Sequence, residues 1–230
     1  PASKTISRSG QHDFINDASM ILVLDNAVDG GYMAGEIVHF LPEARAYNYP
    51  NEDGDPSLDG VDGVVIGGSG AGVYDEPDQP WITDQKQFAR RLVEEGVPTL
   101  GICFGHQILN AALGGAVEDS GTTRLHLREA EFDDDPLFEG VTPTVPVLHS
   151  DVVTELGDGM ELIGRADYYE YFATRHRDSP VWSVQYHPEF TPRIVDEYDG
   201  WEESHRSFEE STATRTLANF AALVESNESD

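Results

Sequence analysis

Three short apolar runs, at residues 20–25, 61–68 and 97–103, each give way near a glycine to a segment with helical spacing. That alternation permits few architectures. Short, continuously apolar strands are buried on both faces, so they must pair in parallel and be covered by crossover helices. The predicted helices run over residues 32–41, with Met33, Ile37, Phe40 and Leu41 on one side, over Trp81–Glu95, stopped by Gly96, and over 104–113, closed by Gly114 and Gly115. Ala44–Asn48 reads as a further strand, and the acidic stretch 50–60 as a surface loop.

The second half has a different rhythm. Residues 124–132, 143–149, Met160–Ala166, 169–174 and 181–186 are strand-like with short connections, which predicts an antiparallel extension of the same sheet. Residues 202–225 return to helix, with Phe208, Leu217, Phe220 and Leu223 as packing positions. The expectation is an α/β three-layer sandwich: a mostly parallel central sheet, helices on both faces, and an antiparallel extension. With no internal repeat and no long linker, residues 20–230 should form one domain, preceded by a polar extension over 1–19 that lacks the apolar core of a signal peptide.

Composition narrows the setting. Asp and Glu total 43 against 14 Lys and Arg, a formal charge of −29, and the lysines are Lys4 and Lys86 alone. Such a charge repels nucleic acid and anionic lipid, and it destabilises the compact state through self-repulsion. At about 1 M salt the Debye length is roughly 3 Å and that repulsion is largely screened. The cytoplasm of a salt-accumulating halophile is therefore expected. No run approaches the roughly 20 apolar residues of a membrane span. A single cysteine rules out an intrachain disulfide and fits a reducing compartment.

That cysteine, Cys103, lies in Gly101-Ile102-Cys103-Phe104-Gly105-His106-Gln107, where a strand ends and a helix begins. A free cysteine is commonly a small buried hydrophobe. Here the flanking glycines permit a sharp strand-to-helix turn that projects a nucleophile, and a helix N-terminus favours a thiolate. Downstream, Val184-Gln185-Tyr186-His187-Pro188-Glu189 supplies a base and an acid. Pro188 keeps His187 extended, and positions i and i+2 of an extended segment share a side, so Glu189 can orient the imidazole. Alternatively, His187 caps a strand and Glu189 is one more surface acid. The spacing of the pair alone does not indicate a metal, and none is expected.

The segment Gly101–Gln107 resembles the nucleophile signature of class I glutamine amidotransferases, and Tyr186-His187-Pro188-Glu189 resembles that family's second signature, in the same order. The resemblance implies a flavodoxin-like fold and a Cys103–His187–Glu189 triad. The implied reaction is hydrolysis of the side-chain amide of L-glutamine through a thioester, with no cofactor. It further implies an oxyanion hole made by backbone N–H groups near Gly68 and at Phe104. Gly67-Gly68-Ser69-Gly70-Ala71-Gly72 lacks the Lys-Ser/Thr of a phosphate-binding loop and continues into Val73-Tyr74-Asp75. Many family members carry proline in this loop, where Ser69 or Gly70 stands here.

His149-Ser150-Asp151 resembles the segment lining the glutamine pocket of GMP synthetase-type amidotransferases. With Gln107 and Ser69, these three residues are the candidates for holding substrate. His106, three residues past Cys103, belongs to the turn rather than serving as base. His12, His39, His126, His176 and His205 have no comparable context. No nucleotide-binding domain is recognisable, so a separate synthetase polypeptide is expected to receive the ammonia. A stand-alone γ-glutamyl amide or peptide hydrolase, and a non-catalytic regulatory module of the same fold, are the alternative readings.

Overall fold

The computed structural model describes residues 19–31, 33–195, 201 and 205–227. The predicted N-terminal extension, apart from Ser19, and residues 202–204 at the head of the predicted last helix lie outside them. The chain enters through β1 (Ile21–Asp25), α1 (Met33–His39), β2 (Ala44–Asn48), β3 (Gly63–Ile66), α2 (Trp81–Glu95), β4 (Thr99–Ile102) and α3 (Phe104–Ala112). The long strands β5 (Ala116–Phe132) and β6 (Thr144–Glu155) follow, then β7 (Met160–Ala166), β8 (Tyr169–His176) and β9 (Val181–Val184). A short α4 (Pro192–Val195) and α5 (Arg215–Asn227) complete the described chain.

All nine strands join one sheet in the order β2-β1-β3-β4-β9-β8-β7-β5-β6. The first five in that order are parallel neighbours and the remaining pairings are antiparallel. This is the predicted α/β architecture with one correction. The sequence reading places the strand over 181–186 in the antiparallel extension. Instead β9 is antiparallel to β8 and parallel to β4, so it completes the parallel set and joins the two halves. Like the parallel strands β3 and β4, it is buried throughout.

Alternation along the strands builds the layers. Ile21 and Val23 of β1, with Val65 and Ile102, face one core shared with Ile37 of α1 and Leu217, Phe220 and Val224 of α5. Leu22, Leu24, Val64 and Ile66 face the other, with Ile82, Phe88 and Leu92 of α2 and Ile108 of α3. Gly96 ends α2 with a left-handed φ of 68°, and its N–H caps the helix carbonyls.

Two boundaries differ from the sequence reading. The strands β5 and β6 extend through residues 116–123 and 150–155, where the sequence shows little apolar alternation. Most of residues 116–123 are exposed, so no core face imprints a pattern there, and a register shift lies between Asp119 and Arg124. The last helix starts at Arg215 instead of 202. Ser207 caps a 3-10 turn at Phe208–Glu210, and Thr212 bonds Thr142, so short polar side chains divert the backbone from helix. Leu217 and Phe220 are buried as expected, while Phe208 stacks on Trp201.

Candidate active site

The sharp turn at Cys103 is imposed by backbone crowding. Cys103 has φ 55°, the only positive φ of a non-glycine residue among the described residues. Its N–H reaches the Val184 carbonyl at 2.9 Å, so the chain leaves β4 in register with β9 before turning into α3. A Cβ on Gly105 would lie 2.0 Å from the Ile66 carbonyl oxygen, and one on Gly101 would lie 2.4 Å from the Gly105 carbonyl oxygen. Only glycine lets α3 begin so close to the sheet. Strain of this kind persists when packing over-determines it, and it is concentrated at functional sites.

Because β9 adjoins β4, the chain that continues from it brings His187 to the same end of the sheet. The His187 N–H bonds the Pro146 carbonyl at 2.9 Å, and the ring stacks on Phe190. His187 Nδ1 meets Glu189 Oε1 at 2.7 Å, with both side chains buried. Glu189 Oε2 has no hydrogen-bond partner among the described residues, so the carboxylate acts on His187 alone. On the other side of the ring, Nε2 lies 3.3 Å from the Leu148 carbonyl oxygen, and Cys103 Sγ lies 3.4 Å from that same oxygen. Burial opposes charge on His187, yet Glu189 and Cys103, by charge and hydrogen bonding, hold its pKa well above the ordinary histidine value. An imidazolium poised beside sulfur can protonate a leaving amine.

A cavity of about 320 Å³ opens over these groups. It is bounded by Met33 and the Ser69–Ala71 loop on one side and by Leu148, His149, Ser150 and Asp151 on the other, with Cys103, Gln107 and His187 at its base and Thr123 at its edge. Of the predicted residues, Cys103, His187, Gln107, His149, Ser150, Asp151 and Ser69 all line it. Glu189 stands behind His187. Gly68 packs against that ring, where a Cβ would lie 3.2 Å from Cε1. Phe104 is fully buried at the first position of α3.

Several of these side chains have local commitments. The Ser69 hydroxyl donates to the Asn26 carbonyl at 2.9 Å and accepts from the Ala71 N–H at 3.1 Å, so it shapes the loop. Gln107 Nε2 donates to the Asp151 carbonyl and to Gln185 Oε1, each at 3.3 Å. His149 bonds the Asp151 carbonyl through Nδ1 and the Tyr168 hydroxyl through Nε2, and burial lowers its pKa to about 4. His106 is enclosed between Ser183 Oγ at 2.8 Å and Tyr169 OH at 2.9 Å, and burial lowers its pKa to about 3. With both ring nitrogens engaged away from sulfur, His106 is a structural residue.

Sequence reasoning missed Asn26 and Gln85. Asn26 Nδ2 donates to the Gly67 carbonyl at 3.0 Å, and Gln85 Nε2 donates to Asn26 Oδ1 at 2.6 Å. This buried pair fixes the glycine-rich loop from below. The available signal was an asparagine directly after the apolar run of β1 and a glutamine on the otherwise apolar side of α2.

Comparison with known proteins agrees with this geometry. The family described as glutamine amidotransferase class-I matches residues 37–198. A glutamine-hydrolyzing GMP synthase from Thermosipho africanus is 36% identical over 130 residues, covering 56% of this chain and 24% of that protein. The chain thus spans about a quarter of the length of such relatives. The glutamine-hydrolyzing GMP synthase of Archaeoglobus fulgidus is divided into subunits. One of them is 34% identical over 137 residues, covering 57% of this chain and 68% of that one. Among solved structures, a glutamine amidotransferase from Thermotoga maritima superposes with a TM-score of 0.68 at 21% identity, covering 91% of this chain and 96% of that one, which shows a shared fold. The chain belongs to the class I glutamine amidotransferase family.

Proposed function

We propose that the chain hydrolyses the side-chain amide of L-glutamine and supplies the ammonia to a synthetase on a separate polypeptide. The observation that carries this reading is the placement of Cys103, in a strained left-handed conformation, beside the buried His187–Glu189 pair at the base of one cavity. Cys103 thiolate attacks the amide carbon, and the resulting oxyanion is held by backbone N–H groups near Gly68 and at Phe104. The tetrahedral adduct collapses as the His187 imidazolium gives its proton to the departing ammonia, leaving a γ-glutamyl thioester. Acylation removes the thiolate, one of the charges that hold the His187 pKa up. The imidazole then takes a proton from water, and the hydroxide releases glutamate and restores Cys103.

The likeness to one subunit of a divided GMP synthase favours a nucleotide-amidating synthetase as the ammonia acceptor. Among the described residues no helix is long and apolar enough to cross a membrane. The charge of −29 further supports activity in a salt-rich cytoplasm. Ammonia release from glutamine by the purified chain in molar salt tests the reading. Turnover that vanishes in Cys103→Ala and rises on adding the acceptor synthetase supports it; a wild-type chain that makes no ammonia with or without that synthetase overturns it.

A further inference from the structure

The turn that leaves the glycine-rich loop carries Tyr74, which at 47% exposure is the exposed large hydrophobic residue of the described chain. An exposed aromatic ring is ordinary by itself; its surroundings are not. Val73 is buried in the second core and anchors the turn. Asp75 Oδ2 accepts the Gly72 N–H at 2.7 Å, and the Asp75 N–H returns to the Gly72 carbonyl at 3.0 Å. The Tyr74 ring lies back over Gly72, where a Cβ would sit 2.6 Å from Cζ and 3.0 Å from the hydroxyl oxygen. A side chain at position 72 would displace the ring, so the turn is shaped to hold it in that pose.

In that pose the Tyr74 hydroxyl donates to Asp151 Oδ1 at 3.0 Å. The bond spans the mouth of the cavity, from the loop after β3 to the β6 wall. Ser150 Oγ donates to the same oxygen at 3.3 Å. Both donors therefore meet Oδ1, and Oδ2 remains for a cationic group in the cavity that Asp151 lines. Tyr74 itself does not line the cavity.

We infer that Tyr74 is a positioning residue for substrate selection: its hydroxyl orients the Asp151 carboxylate toward the α-ammonium group of an amino-acid substrate. The inference rests on the glutamine-hydrolysis reading and names the residue that gives that site its preference for a free amino acid. Charge supports the assignment. Burial raises the Asp151 pKa, and the neighbouring carboxylates Asp119 on β5 and Asp75 on the turn raise it further, while the Tyr74 and Ser150 bonds lower it. His149, two residues away, is held neutral by its burial and supplies no compensating charge. The Tyr74 bond thus helps keep Asp151 ionised among like charges, as binding of an ammonium requires.

The test is calorimetric binding of L-glutamine, and of its deamino analogue glutaric acid monoamide, to the full chain in molar salt. Cys103→Ala is used to prevent turnover, with and without Tyr74→Phe, between pH 5 and 8. The phenylalanine keeps the ring over Gly72 and removes only the hydroxyl. The expected result is about tenfold weaker glutamine binding with unchanged binding of the deamino analogue, as suits one lost hydrogen bond to a charged group. The acid limb of glutamine binding should also move to higher pH. Equal glutamine affinity in the two proteins, or an equal loss for both ligands, overturns the inference. Hydrolysis by the wild-type chain is scored separately: binding that depends on Tyr74 without any turnover would reject the glutaminase reading and leave this one standing.

Discussion

The two halves of the sheet build the site by different means. In the parallel half, β1, β3 and β4 are strands of four or five residues, buried almost throughout, and the position of Cys103 is dictated by backbone contacts closer than a methyl group could tolerate. In the antiparallel half, β5 and β6 are strands of 17 and 12 residues with long exposed stretches, and the pocket wall from Leu148 to Asp151 is fixed by side-chain bonds to Tyr168, Tyr74 and Gln107. Between them β9 belongs to both, and it delivers His187. The difference separates tasks: a nucleophile needs one rigid conformation, whereas a recognition wall can be altered bond by bond with the scaffold intact.

The largest effects should follow from breaking the seam between the halves. Cys103→Ala and His187→Ala are each expected to lower kcat for glutamine hydrolysis by about 10⁴-fold or more, and the double variant by little beyond either, because the groups act as a unit. Glu189→Gln, which keeps the shape and removes the charge, should cost about 10²-fold. Steady-state ammonia release measures all four. Equal losses from His106→Asn and His187→Ala would break the distinction between a structural and a reacting histidine.

Next in size is the contrast between glycines. Gly105→Ala places a methyl group against the Ile66 carbonyl and should destabilise the fold by about 3 kcal/mol. Gly70→Ala, at the tip of the loop with open space around its Cβ, should stay within about 0.5 kcal/mol. Denaturant titration in molar salt compares them.

A smaller effect concerns pH. The folded-state pKa values of His106 and His149, lowered to about 3 and about 4, lie below the roughly 6.5 of an unfolded histidine. Between those limits the unfolded chain binds more protons, so stability should fall as pH drops from about 6.5 toward 4. His187, with its pKa raised, contributes fully below about 6.5 and loses that contribution only as pH rises through its folded value, so it adds no acid-side slope. High salt suppresses the background from the whole-molecule charge, and His106→Asn should flatten part of the slope.

The parallel half was legible in the sequence because each strand carries a continuous apolar run and each crossover helix an apolar stripe. Ala44–Asn48 and Trp81–Glu95 match the structure residue for residue. The outer part of β5 was illegible because residues 116–123 are largely exposed and their pairing rests on backbone bonds to β6. The parallel placement of β9 beside β4 is a long-range pairing that strand periodicity does not encode. Within the site, the spacing of His187 and Glu189 foretold their bond. Asn26 and Tyr74 act through partners distant in sequence, Gln85 and Asp151, and no local pattern marks such pairs.

The central claim, that Cys103 is the nucleophile of a glutamine-binding site activated by His187, is tested most directly by mass spectrometry after exposure to a diazoketone analogue of glutamine in molar salt. A single adduct on Cys103, suppressed by excess L-glutamine and strongly slowed in His187→Ala, is the predicted result. A chain left unlabelled, or labelled at Cys103 at a rate that neither glutamine nor the His187 substitution changes, would contradict it.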